Sequence, residues 1–329
     1  MHSTLRRTGA FAVALMIGGA AGSSWAAPGP PSRPGDQHTE KFAKTVPLGK
    51  GGALDVANVS GDIIITGGRG DQVVINAVKR GKTADDLKAL EIEVTATANR
   101  VQIRAGGSRE RRKAKASVDF TISVPRHATV DVRSVSGDIK LTAVDGSSRA
   151  EAVSGDVVVA KAPQLEAAKT VSGDVTIDEA GSGGDLSVGS VSGDVRVRAV
   201  RVRSLDANIV SGKLHLLNVA CERLKANSIS GSLVFDGPLA KGGRYRFRSH
   251  SGDVTIYVDG KSGFELNAST FSGDITTGVE LTPTAGAEGD RPGRTPTPGT
   301  GRRVRGTLGD GGALIEINAF SGGVKIVKR

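Results

Sequence analysis

The residues with most chemical potential in this chain are seven aspartates, each of which follows a Ser-Gly pair: Asp62, Asp138, Asp156, Asp174, Asp194, Asp253 and Asp274. Carboxylates repeated at one place in a pattern have two uses. If neighbours lie about 5 Å apart they repel by roughly 1 kcal/mol in water, so either a cation bridges them or hydrogen-bond donors absorb their charge. A divalent ion such as calcium would take several such oxygens at once, and Asp138, Asp156, Asp174 and Asp194 are the weak metal candidates. The other use is structural: Asp and Ser side chains accept hydrogen bonds from turn amides, and Lys140 and Arg196 lie on the same outward face to relieve the charge. The structural use is favoured, because Lys213 and Ser232 interrupt the row and the Gly-Gly-x-Gly-x-Asp nonapeptide of calcium-binding solenoids is missing.

Other chemistry has less to stand on. Beyond His2 the histidines are His38, His127, His215 and His250, and they show no metal spacing. There is no Gly-x-Ser-x-Gly elbow, phosphate loop or Cys-His arrangement. Cys221 stands alone, so an internal disulfide is impossible; it occupies a turn slot between Val219 and Leu224, where a buried or half-buried thiol is expected. No catalytic residue and no cofactor is assigned.

The elements that must position the aspartates are repeats. The Ser-Gly phrase has its serines at positions 136, 154, 172, 192, 211, 230, 251 and 272. Their near-constant spacing is the period of a repeat protein. The structural turns are Ser136-Gly137-Asp138, Ser154-Gly155-Asp156, Ser172-Gly173-Asp174, Ser192-Gly193-Asp194, Ser251-Gly252-Asp253 and Ser272-Gly273-Asp274, with Ser60-Gly61-Asp62 as a first member and Ser321-Gly322-Gly323 as an outlier.

Counting from each serine, positions −6 and −4 are apolar (Val130 and Val132, Leu205 and Ala207), −2 is mostly small (Ser134, Ala152, Thr170), and +3 and +5 are apolar again (Val157 and Val159, Val175 and Ile177). Period-two alternation on both sides means β-strands with one buried face. The inward parity switches from even positions before the motif to odd positions from −1 onward. Such a slip needs a bend, and glycine at +1 supplies the backbone freedom. One turn of about 19 residues cannot bury enough apolar surface alone, so turns must stack, hydrogen-bonded at about 4.8 Å. The predicted fold is all-β: a β-solenoid (β-helix) of about 18–21 residues per turn, with a short helix and a hairpin near the N-terminal end.

Aromatic residues make up 3% of the chain and there are 46 glycines, which suits a thin aliphatic core better than a sugar-stacking surface. Residues 1–27 read as a signal peptide: Arg6-Arg7, an apolar run over 10–21, then Ser24-Trp25-Ala26 as a small-x-small cleavage site. The expectation is export to the periplasm or the extracellular space, with no membrane span. Removing residues 1–26 takes away two arginines and no acid, leaving 42 basic against 34 acidic residues. Residues 28–39 are a flexible leader rich in Pro, Gly and Ser, and 40–127 an N-terminal β region. Within it, Thr83 as N-cap predicts a helix to about Leu90, followed by a hairpin across Ala98-Asn99. Arg69-Gly70-Asp71 is either a plain Gly-rich turn or an adhesive tripeptide, the turn being favoured. Arg109, Arg111, Arg112, Lys113 and Lys115 form a basic loop able to touch a polyanion, with no aromatic residues between them to make a nucleic-acid platform. The regular repeats fill 128–280, a disordered Pro/Gly/Thr loop fills 281–304, and 305–329 form a closing turn that protects the open end of the stack.

Three features together resemble the bacterial putative-adhesin family of unknown function, built from β-strand repeats with Ser-Gly-Asp turns. They are the Leu54-Asp55-Val56-Ala57-Asn58-Val59-Ser60-Gly61-Asp62 opening, the Thr121-Ile122-Ser123-Val124-Pro125 strand leading to Val130-Asp131-Val132-Arg133-Ser134-Val135-Ser136-Gly137-Asp138, and the later copies. The resemblance covers roughly 40–329 and implies a β-helix-like envelope or extracellular protein, with no catalytic residue to carry over. The expected function is a non-enzymatic adhesin-like or cell-envelope binding or scaffold protein, whose partner is an envelope component or another protein and not nucleic acid. The alternatives are a polysaccharide-acting enzyme on a β-helix and a divalent-cation-binding structural module.

Overall fold

The computed structural model describes residues 38–106, 116–181, 183–260, 262–283 and 302–329. Among them is one helix, Ala84–Ala89, started by the capping box of Thr83 and Asp86 and anchored by buried Leu87. Everything else of regular structure is strand, joined into one mixed sheet of 25 strands. The protein is all-β because nearly every segment alternates between a buried Val, Ile, Leu, Ala or Phe and an outward residue, and each alternating segment finds a hydrogen-bonding neighbour one repeat away.

The registers show how the copies meet. Going along the stack, Ser60 lies opposite Ser136, then Ser154, Ser172, Ser192, Ser211, Ser230 and Ser251, all in parallel pairs. Strands after the serine match equally: Ile63, Ile139, Val157, Val175, Val195, Leu214, Leu233 and Val254 are successive partners. Each copy is therefore a rung, and its inward residues at −6, −4, +3 and +5 lie on those of the next rung in one continuous core. Ser60 joins Ser136 directly although the rest of the N-terminal β region intervenes along the chain, as a first member should.

Residues at the two ends of the stack pair differently. Arg100–Gly106 adds in parallel to Ala53–Ser60 and is covered by antiparallel Glu91–Thr97. Beside them, Ala116–Pro125 lies parallel to Ile63–Gly68 and carries antiparallel Gln72–Gly81, which carries antiparallel His38–Pro47. At the other end Arg302–Leu308 runs antiparallel along Phe264–Ser272. Antiparallel strands thus end the ladder where a further parallel rung would otherwise invite another chain.

Four expectations are corrected here. Residues 313–328 do not close the stack: Ala313–Ser321 sits between the Ser251 and Ser272 rungs, with Ser321 opposite both. Its backbone finds partners on both sides there, while the shorter antiparallel Arg302–Leu308 covers the edge that remains. The loop predicted over 281–304 is shorter at both ends, since Thr282 and Pro283 pair antiparallel with Thr307 and Gly306 and Arg302, Arg303 and Val304 already pair with Thr270, Ser269 and Ala268; 284–301 lie outside the described residues. The leader predicted over 28–39 stops earlier, because His38 and Thr39 already belong to a strand paired residue by residue with Arg80 and Gly81. Finally, the switch of inward parity lies at the serine and glycine, not before −1. Positions −1 and 0 both point outward and +3 is the next buried residue.

Candidate functional site

At each Ser-Gly corner the glycine has φ between 107° and 149°, a region that L side chains rarely enter. The corner amides are shared between rungs. Gly155 N–H donates to the Ser172 carbonyl at 2.9 Å and Val157 N–H to the Asp174 carbonyl at 2.9 Å. The amide between them, at the Asp position, has no carbonyl to meet, and the neighbouring Asp side chain supplies the acceptor. Oδ1 of Asp62, Asp138, Asp156, Asp174 and Asp194 accepts from the backbone N–H of residues 138, 156, 174, 194 and 213, at 2.8 to 3.1 Å. Asp253 does the same for Gly323 at 2.7 Å.

Charge along this row is compensated locally. The Arg196 guanidinium forks between Asp174 (3.0 Å) and Asp194 (2.7 Å), and Arg302 pairs with Asp274. The row also has a member the repeat pattern does not reveal. Asp119 Oδ1 accepts from Asp62 N–H at 3.0 Å, while its other oxygen takes Arg80 Nε at 2.9 Å in a pair that is 5% and 7% exposed. No Ser-Gly precedes Asp119; the signal available was an acid inside an otherwise apolar alternating strand. The metal candidates Asp138, Asp156, Asp174 and Asp194 are thus all engaged in one hydrogen-bond ladder, and among the described residues no group of three or more His, Cys, Asp or Glu is arranged to hold a metal ion.

The small residues at −2 complete the corner from inside. Thr170, Ser190, Ser228 and Ser249 donate their hydroxyls to a corner glycine carbonyl at 2.9 to 3.0 Å, and Asn58 Nδ2 reaches Gly61 O (2.9 Å) and Val118 O (2.8 Å). Ser134 Oγ is the exception, buried without a partner.

Outside the same corner runs a feature that the alternation pattern misplaces into the core. The −1 residues Val59, Val135, Val153, Val171, Val191, Val210, Ile229, Phe320 and Phe271 are all large and apolar, and each is between 38% and 55% exposed. Because the serines are in register, these side chains form one stripe up the stack, interrupted once by His250. At the C-terminal end the rings stack on each other: His250 on Phe320 at 5.0 Å and 9°, Phe320 on Phe271 at 5.1 Å and 4°. Ring faces are spent on neighbouring rings, so this is not a platform for a sugar face. The sequence signal for the stripe was an apolar residue recurring outside the buried parity.

On one side of the stripe stands the Asp row. On the other, two residues earlier at −3, stand Arg133, Glu151, Lys169, Asn208, Asn227, Arg248 and Asn318. Asn227 Nδ2 donates to Asn208 Oδ1 at 2.7 Å, and a shallow depression lies between Asn227, Arg248 and Asn318 and the rings of His250 and Phe320.

Arg69, Gly70 and Asp71 lie exposed in the turn between Ile63–Gly68 and Gln72–Gly81, where the Asp71 carbonyl accepts Leu48 N–H at 3.0 Å. Cys221 is a free, buried thiol, pushed up to about 12 by burial. Arg109, Arg111, Arg112, Lys113 and Lys115 lie outside the described residues, as do residues 1–27.

A family model described as Toastrack DUF4097 matches residues 35–184 and again 150–295. Among solved structures, the chain is similar to a putative adhesin from Bacteroides fragilis (14% identity, 88% of this chain and 97% of that one, TM-score 0.43). It is also similar to a putative lipid binding protein from Parabacteroides distasonis (8%, 88% and 97%, 0.44) and a putative adhesin from Parabacteroides merdae (10%, 88% and 97%, 0.33). No curated protein matches it.

Proposed function

The chain belongs to the Toastrack DUF4097 family, and from that premise we propose that it is a secreted or periplasmic, non-enzymatic β-solenoid that acts as an adhesin-like or cell-envelope binding and scaffold protein. The solenoid reading is supported by parallel registers that return once per Ser-Gly phrase over consecutive serines. Export is supported by the charged, apolar and small-residue order of residues 1–27.

One observation carries the binding role: the Ser-Gly corners, in register from rung to rung, hold a stripe of half-exposed Val, Ile and Phe that the core does not need. Contiguous apolar surface of that extent marks contact sites more often than solvent-facing surface. The aspartates beside it serve the rungs themselves, which favours a rigid presenting scaffold over a catalytic cleft or a cation module.

The test is capture from a cell-envelope extract by the purified chain, compared with a double variant, Val171→Glu and Val191→Glu, that charges the middle of the stripe. Specific partners retained by the original chain and lost by the variant are expected. Equal capture by both, with both folded, would remove the stripe as the contact, and a version lacking 109–115 then asks the same of the basic loop.

A further inference from the structure

We propose that the −1 stripe is the contact between two copies of this chain, lying side by side with their stacks pointing the same way about a two-fold axis that runs along the stripe. The proposal rests on the binding-surface reading above and names its partner.

Three observations point to a second copy. The first is extent. Nine half-exposed large apolar side chains on ten consecutive rungs amount to on the order of 600 Å² of apolar surface, the upper end of what a lone soluble protein shows. With its flanking columns the stripe approaches the roughly 800 Å² per partner of a standard interface.

The second is period. The side chains recur once per rung, about 4.8 Å apart, and a partner touches every one of them only if it carries the same repeat. A second copy does so by construction, and Val or Phe side chains from facing rungs can then close a dry seam.

The third is charge. The stripe is flanked by the Asp row on one side and by the −3 column on the other. Turning one copy about an axis along the stripe lays its −3 column over the partner's Asp row, rung against the same rung. That sets Arg133 against Asp138, Lys169 against Asp174 and Arg248 against Asp253, each twice by symmetry. Arg133 already leans on Asp131 at 2.9 Å within its own chain. The one opposed pair is Glu151 with Asp156. The same acidic row disfavours an anionic lipid surface or a polyanion against this face.

Sedimentation of the purified chain over micromolar concentrations tests the idea. A dimer is expected, and the Val171→Glu plus Val191→Glu variant should weaken it about 100-fold or more by burying charge without partners. At concentrations too low for the dimer its melting temperature should match that of the original chain, since both positions are half exposed in the single chain.

Orientation is read by oxidative cross-linking. Val153→Cys, Val171→Cys and Ile229→Cys should each link to themselves across the two-fold, with Cys221 buried and silent. Linking only in a mixture of Val171→Cys with Ile229→Cys would overturn the parallel arrangement. A single-chain mass at every concentration with no self-linking would overturn the dimer itself. If that single chain still lost its envelope partners on charging the stripe, the scaffold reading would stand without this one; a dimer that captured nothing would leave this one without the scaffold.

Discussion

The five consecutive rungs from Ser136 to Ser211 turn at two kinds of corner, and the two are built by opposite means. The Ser-Gly corner uses a glycine whose φ, 143° at Gly173, excludes side chains, and whose missing Cβ is also a missing obstacle: a methyl group there would lie 2.3 Å from the Gly155 carbonyl oxygen of the adjacent rung. The other corner, seven residues after the serine, is also left-handed, yet it is occupied by Ala143, Lys161, Glu179, Ala199 and Asn218 at φ of 52° to 58°. The first corner faces the next rung closely and admits one residue type. The second asks only for a conformation, which most residues adopt at a cost of roughly 1 to 2 kcal/mol.

This contrast is broken most directly at its strict side. Gly173→Ala should cost about 3 kcal/mol or more, because strain and overlap add; denaturant unfolding that shows less than about 1 kcal/mol would mean the rungs can part to make room. Next comes the acceptor beside that corner. Asp156→Ala leaves the Asp174 amide unmatched and should cost about 1 to 3 kcal/mol, whereas Asp156→Asn keeps an acceptor oxygen and should cost less than half of that by the same measurement.

A smaller effect separates two serines in the same −2 column. Ser190→Ala should cost about 1 kcal/mol by removing the bond to Gly173 O, while Ser134→Ala should be neutral or slightly stabilising, since its hydroxyl is buried without a partner. At the tolerant corner the sign reverses: Ala199→Gly should stabilise by about 0.5 kcal/mol, the released strain exceeding the extra chain entropy of glycine. A loss there would show that the second corner is also held by its side chain.

The smallest expected effect is in pH. The Arg198 guanidinium bonded to Asp178, helped by the Glu179 amide, holds that carboxyl below the usual carboxylate range, and Arg203 does the same for Asp185. Both are depressed groups, so their contribution is present above the ordinary Asp value of about 4 and fades as pH falls below it. Arg198→Gln and Arg203→Gln should remove that contribution, lowering the melting temperature slightly at neutral pH, leaving it unchanged well below about pH 4, and so flattening its fall on acidification; a pH profile with the same slope as that of the original chain would count against these pairs.

How much of this was legible in the residues follows from the same contrast. The strict corner announces itself, because only glycine fits and the phrase around it must repeat; hence the period, the buried positions at −6, −4, +3 and +5 and the membership of Ser60 could all be read. The tolerant corner carries no such mark, since Ala, Lys, Glu and Asn are ordinary residues anywhere. Val171 and its fellows misled for a related reason: an apolar residue beside a glycine looks inward until the chain's bend is placed. Asp119 lacks the preceding Ser-Gly, and its part in the ladder depends on a strand folding back to lie next to residue 62. Rung order near the C terminus depends on which strands compete for an edge, a matter of distance in space and not of spacing along the chain.

That rung order has a consequence for how the molecule comes into being. A chain appearing from its N terminus can lay down rungs in order of synthesis only as far as Ser251, because the piece that must be placed next is among the last to be made. Until the final strands arrive, the Ser272 rung has nothing to rest on. A nascent chain halted near residue 310 would therefore hold a finished column with an unsatisfied top, and losing the strands beyond that point would open the structure from within instead of trimming its tip.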